Sequence, residues 1–185
     1  MFDTVQATAA ERAAARPGDD LVGPADVVMD RAFTVAGMPD DVWPWLVQLG
    51  KRRAGWYLPG RLERLLPASR RAARVIDQRW QRLGVGDIIP DYGGRDETFE
   101  VAQISRPTVL VYRSRRGHTD VTWSISLAPA HASDPDRTRV FLRLRMAPVR
   151  HQRVARTVGE LFDLLTVAGM AAGLRERLEA SAARH

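Results

Sequence analysis

From Ala25 to Val35 the chain alternates: Val27, Met29, Arg31, Phe33 and Val35 fall on one side, Val28, Asp30, Ala32 and Thr34 on the other. Period two predicts a first strand. The period then lengthens. Pro39, Asp40 and Asp41 give an N-terminal boundary with acidic first-turn charge, and Val42, Trp43, Leu46, Val47 and Leu49 follow at helical spacing before Gly50, predicting a short helix. Gly55-Trp56-Tyr57, followed by Pro59 and Gly60, reads as a bend that points two rings inward. Between Pro59 and Leu83 an arginine-rich stretch carries Leu62, Leu65, Leu66, Ala72, Val75, Ile76 and Trp80. It predicts one or two surface helices, interrupted at Pro67, with solvated arginines.

The second half reverts to period two. Gly84-Val85-Gly86-Asp87 leads into Ile88 and Ile89, and Gly93-Gly94 marks a turn. Thr98 to Ile104, Thr108 to Ser114, Val121 to Leu127 and Thr138 to Met146 are four further strand candidates, for which an antiparallel meander is the economical connection. Val121, Trp123, Ile125 and Leu127 oppose Asp120, Thr122, Ser124 and Ser126, while Val140, Leu142, Leu144 and Met146 oppose Arg139, Arg143 and Arg145. One face is apolar and the other reads as wet. The longest helical pattern closes the chain, from Gln152 to Ala180, with Val154, Val158, Leu161, Phe162, Leu165, Ala168, Gly169 and Ala172 at three- and four-residue steps. A helix so patterned needs an apolar partner, which the concave face of a sheet supplies. Small residues from Ala168 to Gly173 allow close approach.

Composition narrows the classes. At 185 residues with 45% hydrophobic content the chain suits one core: residues 1–20 read as a loosely packed extension and 21–182 as a single domain. The absence of cysteine excludes disulfides, thiolate zinc sites and cysteine nucleophiles. No apolar run approaches a membrane span or a signal peptide, so a cytoplasmic protein is expected. Net charge is +6, yet Lys51 is the sole lysine and no arginine-rich motif or zinc spacing supports nucleic-acid binding. His118, His131, His151 and His185 show no metal-ligand spacing, and no nucleophile elbow, phosphate loop or dinucleotide fingerprint occurs. No metal or cofactor is expected. Asp87, Asp91, Glu97, Glu100 and Asp120 could bring a carboxylate near a pocket mouth, with Tyr92, Tyr112 or His118 as a proton partner.

A strand followed by PDDVWPWLVQLG, GWY, QRLGVGDIIPD (81–91), FEVAQISRPTVLVYRS (99–114), TWSISLAP (122–129), DRTRVFLRLR (136–145) and a long last helix resembles the SRPBCC superfamily, the START and polyketide-cyclase-like group. The resemblance runs from about Pro17 to Glu179. It implies an α+β helix-grip fold: a curved antiparallel sheet gripping the C-terminal helix, with short helices after the first strand, around a pocket for a small apolar molecule. The sequence departs from related ones at Leu58, Thr166 and Ala168. Alternation and helical phase select the lining: Phe99, Tyr112, Trp123, Ile125, Leu142 and Leu144 from the sheet, Phe162, Leu165 and Met170 from the helix, Trp56 and Tyr57 from the bend. Trp43 and Trp80 are assigned to the core. Three functions follow: binding of a lipid- or polyketide-like ligand, a polyketide cyclase or dehydratase, or an interaction module whose basic face of Arg139, Arg143 and Arg145, or the 113–116 turn, takes an acidic partner.

Overall fold

Alternation in the second half of the chain produces consecutive antiparallel strands. The computed structural model describes residues 5–131, 133–150 and 152–184, with only the backbone of 152–158. The strands are β1 (Val27–Ala36), β2 (Ile88–Pro90), β3 (Thr98–Ser105), β4 (Val109–Arg116), β5 (Thr119–His131) and β6 (Asp134–Ala147). They form one sheet in the order β1-β6-β5-β4-β3-β2. The meander from β2 to β6 ends by pairing β6 with the first strand. Its register sets Phe33 opposite Val140, Leu142 opposite Ile125, and Leu144 opposite Trp123, which in turn faces Tyr112. The apolar rows therefore share one face.

Helix α2 (Pro39–Gln48) starts where the sequence predicts, with Pro39 at its first position and the Met38 amide donating to the Asp41 carboxylate at 2.9 Å. It buries Val42, Trp43, Trp45, Leu46 and Val47. Those side chains join Phe33, Leu110, Ile125, Leu142, Met170 and Leu174 in one continuous core. The arginine-rich stretch from Pro59 to Leu83 is mostly irregular, against the helices its pattern predicts. It holds helix α3 (Gly60–Glu63) and 3-10 turns at Ala68–Arg70 and Gln78–Trp80. Pro67 stops the helical run, and the Arg71 side chain donates to the Leu66 and Arg64 carbonyls, satisfying backbone groups that a continued helix would have used.

Helix α4 (Gln152–Ala182) lies across the sheet, and its two halves behave differently. Val167, Ala168, Met170, Ala171, Leu174 and Leu178 are buried. A Cβ on Gly173 would come within 2.6–2.7 Å of the Leu58 backbone, so only glycine lets helix and bend approach this closely. The first half is instead tied to edge strand β1: Gly159 abuts Met29, Arg31 pairs with Asp163 at 2.9 Å, and Arg31 donates to the Glu160 carbonyl. Leu161, Phe162 and Leu165, predicted to face the sheet, are consequently exposed. Val154 and Val158 lie outside the described side chains, and His151 and His185 outside the described residues.

The outer face of the sheet corrects two expectations. Residues 5–22 are a strap rather than a loose extension. Gln6 bridges antiparallel to Arg31 and Val5 is fully buried. Helix α1 (Ala9–Ala13) follows, opened by a Thr8–Glu11 capping box. Ala7 packs with Ala32 and Phe141, the Arg16 guanidinium sits 3.9 Å from the Phe141 ring centroid, and Gly18, at φ +83°, turns the strap against Val111. Arg139 pairs with Glu11 at 2.7 Å, and the Arg139 contact holds the Glu11 carboxyl down at about 2. Arg143 pairs with Asp30 at 2.7 Å and Asp19 at 2.8 Å and donates to the Arg12 and Ala14 carbonyls. Arg145 donates to the Val22 carbonyl. In the 113–116 turn, Arg113 pairs with Glu100, Arg115 with Asp120 and Arg116 with Asp91. The acidic partner expected for these arginines is the chain itself.

Candidate functional site

Inward positions of β3, β4 and β5 carry Phe99, Tyr112 and Trp123, and the 55–57 bend adds Trp56. The rings meet at one end of the sheet. Tyr112 stacks on Trp123 at 5.6 Å and 19°, Phe99 lies 5.9 Å from Tyr112 and 6.2 Å from Trp123, and Trp56 lies 6.0 Å from Trp123. Spacings of this order are favourable for aromatic pairs. A fifth ring, Tyr92, stands edge-on to Trp56 at 6.4 Å and is 54% exposed.

Tyr92 belongs to the loop 91–97 between β2 and β3, which lies over the cluster. The Lys51 ammonium donates to the Asp91 and Gly94 carbonyls at 2.9 and 2.8 Å. Arg116 pairs with Asp91 and, at 3.9 Å, with Glu97, while its guanidinium lies 5.1 Å from the Phe99 centroid. Two cations thus latch the loop, both through Asp91. Beneath it the space between rings is about 30 Å³, far below the ~300–1,000 Å³ of a small-molecule pocket. The expected pocket is therefore filled by its own aromatic side chains in this conformation.

The remaining predicted lining residues separate into two groups. Tyr57 is fully buried and turned into the core. Its hydroxyl donates to the Trp45 carbonyl at 2.7 Å and accepts from Gln48 at 3.0 Å, its ring meets Trp45 edge-on at 5.8 Å, and Arg177 lies over it at 4.4 Å. Ile125, Leu142 and Met170 are likewise buried core, and Leu144 is half-buried. Phe162 and Leu165 are 72% and 52% exposed and with Leu161 form an apolar stripe on α4. That stripe adjoins the cluster through Trp56, whose indole donates to the Thr166 carbonyl at 3.2 Å. Trp43 is buried as assigned, whereas Trp80 is only half-buried beneath Arg53 and Arg79. Sequence reasoning missed Lys51 and Arg116 as latches and considered Tyr92 only as a proton partner. An aromatic residue in the polar turn Asp91-Tyr92-Gly93-Gly94 was the available signal.

Burial raises the Tyr112 phenol above its ordinary range, with Arg53 acting weakly against it. The phenol is protonated at neutral pH, and its hydroxyl forms no hydrogen bond among the described residues. The carboxylates considered as proton carriers are engaged elsewhere: Asp91 and Glu97 with Arg116, Glu100 with Arg113, Asp120 with Arg115, and Asp87 with the Gly84 amide at 2.9 Å. Among the described residues no three His, Cys, Asp or Glu side chains gather as metal ligands.

An open antiparallel sheet holding one long C-terminal helix, with short helices inserted after β1, is a distinctive arrangement. It recurs in a hypothetical protein from Helicobacter pylori, 15% identical, covering 89% of this chain and 95% of that one at a TM-score of 0.54. A protein from Mesorhizobium loti shares it at 14% identity, with 83% and 98% covered and a TM-score of 0.52. The chain has a helix-grip α+β fold. A START superfamily protein from Mycobacterium smegmatis is also similar, at 13% identity, 83% and 97% coverage and a TM-score of 0.46. No family model and no curated protein matches the sequence. At these identities the helix grip carries the fold and leaves activity to the site itself.

Proposed function

We propose that the chain binds a small, apolar, ring-containing molecule at the Trp56, Phe99, Tyr112 and Trp123 cluster. The observation that supports this most directly is a partly buried aromatic cluster next to an exposed apolar stripe, Leu161, Phe162 and Leu165, under a loop held by only a few polar latches. A ligand reaches the rings by releasing Lys51 and Arg116 from loop 91–97 and intercalating among them. Stacking and apolar burial supply the affinity, and the Tyr112 hydroxyl supplies one oriented hydrogen bond. The test is titration with the neutral apolar fluorophore N-phenyl-1-naphthylamine. Saturable binding is expected, weakened at least ten-fold by Trp56→Ala or Trp123→Ala and unchanged by Trp80→Ala. Equal binding by all variants would overturn the site.

Tyr112 also favours a second reading, in which the phenol moves a proton on a bound polyketide-like chain, as a cyclase or dehydratase would. The expected signature is turnover lost in Tyr112→Phe with ligand affinity retained. Turnover surviving that substitution would remove Tyr112 from the chemistry.

A further inference from the structure

Residues 59–76 carry five arginines, Arg61, Arg64, Arg70, Arg71 and Arg74, and one acidic residue, Glu63, a net +4 in a chain of net +6. Glu63 is buried, and its oxygens are occupied by Arg177 at 2.6 Å and Arg74 at 2.7 Å. Burial pushes its carboxyl up, yet the two guanidinium partners hold it below the usual range. Arg177, itself wholly buried, fixes the floor by donating to the Ala73 and Gly173 carbonyls at 2.8 and 2.9 Å. Above that floor Gly60, Arg61, Arg64, Arg71, Arg74 and Glu176 line an open groove of about 830 Å³. Glu176 is drawn to the Gly60 amide at 2.7 Å and to Arg74 at 3.4 Å. The guanidinium groups of Arg61, Arg64 and Arg70 are exposed and form no ion pair or hydrogen bond among the described residues.

An independent observation comes from the same stretch. Leu65 is 81% exposed, the most exposed of the large hydrophobic side chains among the described residues, with Val75 at 59% and Leu62 at 36%. Arginines alone would suit any anion, because the guanidinium fork matches phosphate and carboxylate alike. A projecting leucine among them gains only where apolar matter lies beside the anion. That combination belongs to a phospholipid surface, with phosphates at one level and acyl chains just beneath. No helix among the described residues is long and apolar enough to cross a membrane, so the contact lies in the interface.

We propose that this face docks on an anionic lipid bilayer, seating phospholipid phosphates in the groove and inserting Leu65 among the acyl chains. The assignment is independent of what the aromatic cluster binds. The experiment is sedimentation of the full chain with phosphatidylcholine vesicles made with and without phosphatidylserine. Binding is expected only with phosphatidylserine, falling as salt rises. Replacing Arg61, Arg64 and Arg70 together by alanine lowers the partition coefficient on the order of 100-fold, since each arginine near an anionic surface contributes about a factor of five. Replacing the same three by lysine retains most of it. Leu65→Ser lowers partition several-fold while keeping the salt dependence, and circular dichroism verifies that each variant is folded. Absence of phosphatidylserine-dependent binding would overturn the assignment. So would Leu65→Ser binding as wild type while inorganic pyrophosphate displaces the protein, an outcome that makes the groove a site for soluble anions.

Discussion

The two faces of the sheet bury comparable side chains by opposite means. On the outer face, arginines of β6 are capped by a strap that supplies a partner for each, Glu11 for Arg139, Asp19 for Arg143 and the Val22 carbonyl for Arg145, with Asp30 of β1 as a second partner of Arg143. At the aromatic end of the inner face, rings lean on rings, and the loop above them is latched mainly through backbone carbonyls and one arginine. A buried charge demands a specific partner at a specific position, so the outer face has one arrangement. Aromatic pairs accept offset-stacked and edge-to-face geometries alike, so the inner end is less strictly specified, as the proposed binding of a ring-containing ligand requires. The outer face is a closed structural joint, and the inner end is the place proposed above for a guest.

Breaking the joint should have the largest effect. Arg143→Ala removes the guanidinium donor from the buried Asp30 carboxylate and from the Arg12 and Ala14 carbonyls, and leaves Asp19 only Arg145 and the Arg16 amide. Loss of about 3–5 kcal/mol is expected in urea unfolding, whereas a loss under 1 kcal/mol would show that the strap is loosely held. Next is Gly173→Ala, whose Cβ would strike the Leu58 backbone. An overpacking cost of about 1–3 kcal/mol is expected by thermal unfolding, separating the tightly sealed second half of α4 from its exposed first half.

A smaller, pH-dependent effect distinguishes the strap electrostatically. Glu11 titrates at about 2 in the folded chain against an ordinary 4.5, chiefly because Arg139 stabilises its charged form. A depressed carboxylate contributes stability that is complete above pH 4.5 and lost as pH falls from 4.5 to about 2. The wild type should therefore lose stability over that window, and Glu11→Gln should lose less there while being weaker at pH 7. Parallel profiles for the two proteins would deny Glu11 its role. The smallest effect is expected at Phe162. Its side chain is exposed, so Phe162→Ser should change stability by no more than about 0.5 kcal/mol while weakening uptake of the apolar fluorophore.

These contrasts explain what was readable in advance. Strands with period-two alternation and the α2 boundary were legible because local pattern dictates them: Pro39 and Asp41 act within one turn, and Trp123 must share a face with Ile125. Phe99, Tyr112, Trp123 and Trp56 could be nominated for the same reason. The strap was not legible, because Arg139 and Glu11 lie 128 positions apart and a polar alternation looks the same whether water or a second segment covers it. Tyr57 was misleading for a related reason. Its neighbour Trp56 faces the cluster, and whether an inward ring lines a cavity or fills a core depends on partners such as Gln48 and Arg177. The exposure of Phe162 and Leu165 follows from the Arg31–Asp163 tie, a tertiary contact that helical phase alone does not encode.

The most direct measurement follows the five tryptophan indole signals by two-dimensional NMR while N-phenyl-1-naphthylamine is added. Trp56 and Trp123 report on the aromatic cluster, Trp43 and Trp45 on the closed core, and Trp80 on the surface under Arg53. Saturable shifts at Trp56 and Trp123, with the other three unmoved, are expected. Unmoved signals at Trp56 and Trp123, or shifts centred on Trp80, would contradict binding at the cluster.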